Sequence, residues 1–174
     1  YNAYSTAPLR ELATAVQDAA FDDAVGVIVV TGAGTAAFCT GGDVKEYEEA
    51  YTSRPRDYWK YMGLFRAWIE SLVNAGKPVI ARINGMAAGG GNESQLACDL
   101  AVMAEHAWLG QVGTRVGSVA AGGATQWLPI HVGDRLPVAQ LRQFTAEDEE
   151  VRDVGGDDRD HGSPAEVAHH ERGV

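Results

Sequence analysis

The sequence predicts an α/β fold built around a parallel sheet, and three observations carry that reading. Residues 25–30, Val-Gly-Val-Ile-Val-Val, form a short β-branched run without polar alternation, the pattern of a strand covered on both faces. Residues 78–83 form a second such run, and each run leads into a glycine-rich loop and then a helical pattern. The size also fits, because 174 residues with 45% hydrophobic and 22% charged positions make one ordinary domain with enough apolar content for a core.

Taken in order, Leu9, Leu12, Ala13, Val16 and Ala20 recur at the one-face spacing of a helix ending near Phe21. Ser5 or Thr6 serves as N-cap and Pro8 sits in the first turn. After the strand at 25–30, residues 31–42 are rich in Gly and small side chains and read as a loop, and 43–50 as a short helix. Tyr58, Tyr61, Met62, Phe65, Trp68, Ile69, Leu72 and Val73 mark one face of a long helix running to about Asn74. Those aromatics read as core rather than as a ligand box. Beyond the strand at 78–83 come a glycine-rich turn at 85–91, a helix at 92–98 and a third strand at 100–104. A last amphipathic stretch covers 124–132. The pattern then stops, so that 1–136 form the folded core and 137–174 an acidic, Gly- and Asp-rich tail expected to be disordered.

The net charge of −10 argues against a nucleic-acid surface, which needs clustered Lys and Arg. The charge is unevenly spread: 14 acids face 10 bases in 1–136, and 10 face 4 in 137–174, giving −4 and −6. No apolar run approaches the roughly 18 residues of a membrane span. Two cysteines, Cys39 and Cys98, make neither a disulfide framework nor a zinc spacing. The expectation is a cytoplasmic protein with reduced thiols, no metal and no membrane or nucleic-acid partner. The chain opens at Tyr1, so a targeting segment can lie outside it. His106, His131 and the His169-His170-Glu171 run read as surface or composition rather than as ligands.

Two glycine patterns compete for the chemistry. Gly32-Ala-Gly34-Thr-Ala-Ala37 after a strand approximates a dinucleotide fingerprint, but Phe38-Cys-Thr-Gly-Gly42 prolongs the loop where a helix must open to meet a pyrophosphate. A nicotinamide site is therefore the weaker reading. Cys39-Thr-Gly-Gly-Asp43 and Ala88-Gly-Gly-Gly-Asn-Glu93 each place glycines at a helix start, where backbone N–H groups lack internal partners. Two such turns facing one oxygen would form an oxyanion hole; the same glycines also serve tight helix–sheet packing, and the residues alone leave both readings open. Glu93 stands one helical turn after Gly90, on the side of such a donor, and suits general acid–base work; a lone helix Glu is also commonly an exposed carboxylate. Cys39 reads as a small buried residue behind the loop.

The runs Val27–Gly34 (Val-Ile-Val-Val-Thr-Gly-Ala-Gly), Ala37–Glu46, Lys77–Gly85 and Ala88–Glu93 resemble the crotonase, or enoyl-CoA hydratase/isomerase, superfamily. Leu109-Gly-Gln111 and Gly122-Gly-Ala-Thr-Gln126 continue in register. The resemblance implies a ββα spiral core that binds acyl-CoA thioesters, with coenzyme A as part of the substrate and no separate cofactor. It assigns the oxyanion donors to Gly42 and Gly90, catalysis to Glu93, and coenzyme A contacts to Gly42, Asp43, Val44, Lys45 and Gly90. Family hydratases resemble one another in a second glutamate, and Gly113 stands at that position here, which puts a simple water-clamping hydratase in doubt. Phe38-Cys-Thr-Gly-Gly42, Lys45-Glu-Tyr47 and Gly117–Thr125 are similar to the ring-opening 6-oxocyclohex-1-ene-1-carbonyl-CoA hydrolases.

Family members begin earlier and end later, with helices that cover the site and build trimers or hexamers. The reading is thus of an incomplete spiral core in which a shifted frame or degraded copy follows about residue 136. The faces of Leu128, Ile130 and Val132 and of Trp68 and Leu72 are expected to stay partly exposed. An inactive or weakly active fragment is the competing expectation to an enzyme.

Overall fold

A computed structural model describes residues 1–113 and 117–132. The element order is α1 (Thr6–Phe21), β1 (Ile28–Thr31), β2 (Ala37–Cys39), α2 (Val44–Glu46) continuing as a π-helical turn (Tyr47–Tyr51), α3 (Pro55–Val73), β3 (Val79–Ile83), β4 (Met86–Ala88), α4 (Gly90–Leu96), β5 (Leu100–Met103), β6 (Leu109–Gly110) and α5 (Ala124–Val132). The expected tail at 137–174 lies outside the described residues.

The strands form two parallel three-stranded sheets, ordered β1-β3-β5 and β2-β4-β6. Each repeat gives its first strand to one sheet and its second to the other, so the chain advances as a spiral. Ile28 pairs with Val79 and Ile80 with Leu100 in the first sheet, and Ala37 pairs with Met86 and Ala87 with Leu109 in the second. The corner between sheets is tight. A Cβ on Gly85 would lie 2.6 Å from the Ala36 carbonyl, and the Asn84 amide ties the preceding loop by donating to the Gly32 and Gly34 carbonyls and accepting from the Gly32 N–H. The Gly32–Gly34 loop is thus bound to the protein and leads into β2 rather than a helix, which removes the dinucleotide reading.

The main core gathers Leu9 and Val16 of α1 with Tyr61, Phe65, Trp68 and Leu72 of α3 and Val79 of β3. Each fully buried aliphatic side chain contributes about 2 kcal/mol of transfer free energy. Phe38, Ala81, Ile83, Ala87 and Ala107 fill the space between the sheets, and Leu96, Ala124 and Leu128 join α4 to α5. Ser5 occupies the N-cap position of α1 without a side-chain cap; the carboxylate of Glu46 accepts from Thr6 N–H at 3.0 Å instead. A residue forty positions away does the capping, which no local pattern reveals.

Several expectations are corrected. The first strand is Ile28–Thr31 rather than 25–30, and it is not covered on both faces: Val29 is 55% exposed, and every residue of β5 is exposed as well. The single expected sheet is two, and the loops at 31–42 and 85–91 contain β2 and β4. Trp68 and Leu72 are buried at 3% and 2% exposure, because α1 and α4 cover that side of α3, and Leu128 is buried as well. Ile130 is exposed as expected, while the side chain of Val132 falls outside the described set. Among the described residues no helix is long and apolar enough to cross a membrane.

Gly63 lies inside α3 with open space where a Cβ would project. Gly63→Ala is therefore expected to stabilise the protein by roughly 0.5–1 kcal/mol through helix propensity, read as a higher thermal midpoint. A lowered midpoint would show that this face is occupied.

Candidate active site

The two glycine turns meet. Gly41, at φ +90°, passes so close to the second turn that a Cβ there would sit 3.0 Å from the Gly90 nitrogen. Gly89 adopts φ +53° and ψ −122°, a conformation that favours glycine and delivers the chain into α4. The segment before α1 braces both turns: Tyr4 N–H donates to Gly41 O and Asp43 N–H to Tyr4 O, each at 2.9 Å, so that Tyr4 pairs with Gly42 as a short parallel bridge. The amides of Gly42 and Gly90 have no backbone acceptor among the described residues, and both glycines line one cavity of about 730 Å³.

Glu93 lies in the same cavity and is 4% exposed, so the surface-carboxylate reading falls away. Its Oε1 accepts from Gly122 N–H at 2.6 Å and from Ala124 N–H at 3.4 Å. Burial pushes its carboxyl above the ordinary value of 4.5, and the amides of Gly122, Ala124 and Ala121 pull it part of the way back. A carboxylate held by one oxygen and raised toward neutrality is suited to passing a proton through the other.

The rest of α4 is buried and polar yet satisfied. Asn92 donates to Gln111 at 3.1 Å, Gln95 donates to Asn92 at 3.0 Å, and the Trp68 indole donates to Ser94 at 2.9 Å. A closed network of this kind fixes the helix and hence the direction of Glu93.

Of the residues proposed to hold coenzyme A, Gly42, Val44 and Gly90 line the cavity. Asp43 instead turns back to cap α2, accepting from Lys45 and Glu46 N–H, and the exposed Lys45 is not part of the lining. Gly113 does face the cavity, beside Gln111 and Ser118. An aromatic part of the lining is not among the site residues expected from the sequence: Tyr47, Tyr58, Tyr61, Met62 and Phe65 form it, and the Tyr47 and Tyr61 hydroxyls bond each other at 2.9 Å. Helical periodicity had identified Tyr61 and Phe65 as inward-facing, and inward here is also toward the cavity.

Burial raises the Cys39 thiol to about 11, so it is protonated at neutral pH and packs behind the loop rather than acting as a nucleophile. His106 lies against the carbonyls of Asn84 and Thr35, a loop contact. A second cavity of about 490 Å³, bordered by Arg10, Arg54 and Lys60, holds neither glycine turn nor Glu93. No group of three or more His, Cys, Asp or Glu side chains that could hold a metal ion occurs among the described residues.

A spiral of ββα repeats with paired glycine turns and one buried carboxylate defines a class of α/β proteins, and comparison with known proteins gives that class its name. The family model for enoyl-CoA hydratase/isomerase matches residues 1–152. The chain belongs to that family. It is 44% identical over 133 residues to the 6-oxocyclohex-1-ene-1-carbonyl-CoA hydrolase of Geobacter metallireducens, covering 76% of this chain and 35% of that protein. The protein of the same name from Thauera aromatica is 43% identical with the same coverage. The crystal structure of an enoyl-CoA hydratase from Bacillus anthracis superposes with a TM-score of 0.75 at 34% identity, over 80% of this chain and 53% of that one. The chain spans about a third of the length of these curated relatives.

Proposed function

We propose that this chain carries the acyl-CoA site of a crotonase-superfamily enzyme, with ring-opening hydrolysis of a cyclic oxo-enoyl-CoA as its reaction. The observation that carries the proposal is the convergence of the Gly42 and Gly90 amides and the anchored Glu93 carboxylate on one aromatic-walled cavity. In this reading the two amides receive the thioester oxygen and stabilise the negative charge it gains as the enolate forms. Ring opening consumes two waters: one adds across the conjugated double bond, and the second gives a proton to the free oxygen of Glu93 as it attacks the ring ketone. The bond from that carbon to the α-carbon then breaks to leave a carboxylic acid and a thioester enolate, which Glu93 reprotonates at the α-carbon. No cofactor beyond the coenzyme A of the substrate is needed.

Gly113 favours the hydrolase reading over a generic hydratase. Clamping water for hydration calls for two placed carboxylates, and position 113 faces the cavity without a side chain. The relatives named for cyclic substrates support the same choice, as does a wall of planar Tyr and Phe rings.

Calorimetry with CoA thioesters and with NAD tests the class. Saturable thioester binding is expected, and NAD binding without it would overturn the proposal. Product analysis then separates the reactions, since fast crotonyl-CoA hydration with an inert cyclic substrate would refute the hydrolase assignment. Gly113→Glu is expected to raise crotonyl-CoA hydration several-fold. The new Cβ would stand 3.2 Å from the Ser118 carbonyl, so the site has room after a shift of a few tenths of an ångström. An unchanged rate at intact stability would remove position 113 from the argument.

We further propose a cytoplasmic homo-oligomer. Leu100, Val102 and Met103 on the edge strand β5 are 60%, 64% and 41% exposed, an apolar strip that assembly would cover. The competing reading, an inactive or weakly active fragment, predicts a monomer or aggregate in size-exclusion chromatography with light scattering.

A further inference from the structure

We propose that the Tyr4 hydroxyl is a third hydrogen-bond donor to the thioester oxygen of a bound acyl-CoA, acting beside the Gly90 amide. This rests on the acyl-CoA reading above and adds to it a side chain outside the two glycine turns and Glu93.

Tyr4 is 5% exposed and yet lines the cavity, so the part of it that remains accessible opens onto the site. Its hydroxyl lies directly over Gly90: a Cβ built on that glycine would overlap it. The hydroxyl and Gly90 thus border the same part of the cavity, and we place one ligand oxygen between the hydroxyl and the Gly90 N–H. Among the described residues the hydroxyl has no hydrogen-bond partner, and Tyr4 belongs to the cavity lining. Tyr47 and Tyr61 of the wall differ in this respect, since they bond each other, and Tyr58 is 41% exposed rather than buried beside a glycine turn.

The side chain is also held in place. Its ring stacks on Phe65 at 5.5 Å between centroids, and its backbone is clamped to Gly41 and Asp43 on both sides of Gly42. It cannot turn away when a ligand fills the cavity and displaces water. A ligand without an oxygen at this point would strand a polar group, whereas a thioester oxygen satisfies it. Burial holds the phenol far above its ordinary pKa, so it stays a neutral donor throughout the working pH range.

The test uses the whole 174-residue chain with two ligands: benzoyl-CoA, and S-benzyl-CoA, a thioether that lacks the carbonyl oxygen. Tyr4→Phe keeps the ring stack and removes the donor. It is expected to weaken benzoyl-CoA binding about five- to tenfold while leaving the thioether within about twofold. The infrared carbonyl stretch of bound, carbonyl-labelled benzoyl-CoA is expected to rise in the variant as one donor is lost. Equal weakening of both ligands, or an unchanged stretch, would overturn the role of Tyr4 while leaving the acyl-CoA site standing. Failure of the unaltered chain to bind either ligand would overturn the acyl-CoA reading and this proposal together. Should Tyr4→Phe melt early, 3,5-difluorotyrosine placed at position 4 strengthens the donor at nearly constant size. The stretch must then fall further, and a stretch that does not move counts against the proposal.

Discussion

Replacing Glu93 by Gln is expected to lower turnover of an acyl-CoA substrate by on the order of 100-fold or more, with thioester affinity within about twofold. Gln keeps the length and the carbonyl oxygen that accepts from Gly122 and Ala124, so α4 and α5 stay joined. What it loses is the ability to take a proton. A second readout is the pH dependence of stability. The folded carboxyl sits above its ordinary value of 4.5, so the native state binds more protons than the unfolded chain between the two values. Stability contributed at this site is therefore greatest below the unfolded value and falls as pH rises through the folded one. Thermal melts of the Gln variant should lose that fall and lie at or above the parent at neutral pH. Retained turnover would take Glu93 out of the chemistry, and a melt that drops at neutral pH would contradict its raised pKa.

The largest structural effect is expected from Gly91→Ala. Gly91 is buried in α4, and a Cβ there would overlap the Cys39 carbonyl oxygen and lie 2.6 Å from the carbonyl carbon and 2.9 Å from the Cys39 Cβ. Backbone cannot swing aside as a long side chain can. Overpacking of this kind costs about 3 kcal/mol or more, which lowers the thermal midpoint by roughly 10 °C. The displacement also separates the two turns that present Gly42 and Gly90, so thioester binding should fall with stability. An unchanged midpoint with full binding would show that α4 and the Cys39 strand are not locked together. Gly63→Ala serves as the contrast, a single methyl added where space is open.

Much of the fold was legible because it rests on periodicity. The apolar spacing of Leu9 and Val16, and of Tyr61, Phe65, Trp68 and Leu72, predicts α1 and α3 with the right inward face. β1 and β3 are readable from Val, Ile and Ala. The second sheet was not readable. Its strands have 3, 3 and 2 residues, too few for any alternation to register, and they sit among the glycines and alanines of loops. They exist because a partner strand lies beside each of them. The inferred exposure of Trp68 and Leu72 failed for a related reason, since burial depends on which elements arrive from elsewhere, here α1 and α4.

For the site, the sequence by itself determined the chemistry available: two glycine turns, one glutamate a turn beyond Gly90, a glycine at position 113, and a resemblance that names their family. Those are properties of order and residue type. The tertiary structure alone decided the geometry. It brought Gly41 against the Gly90 nitrogen, fastened Glu93 to Gly122, turned Asp43 into a helix cap and set the Tyr4 hydroxyl over Gly90. Tyr4 lies 86 positions before Gly90, and nothing in the local pattern around either residue encodes their contact. Hydrogen bonding and van der Waals overlap act over a few ångströms of space whatever the separation along the chain, so such contacts exist only once the sheets have formed.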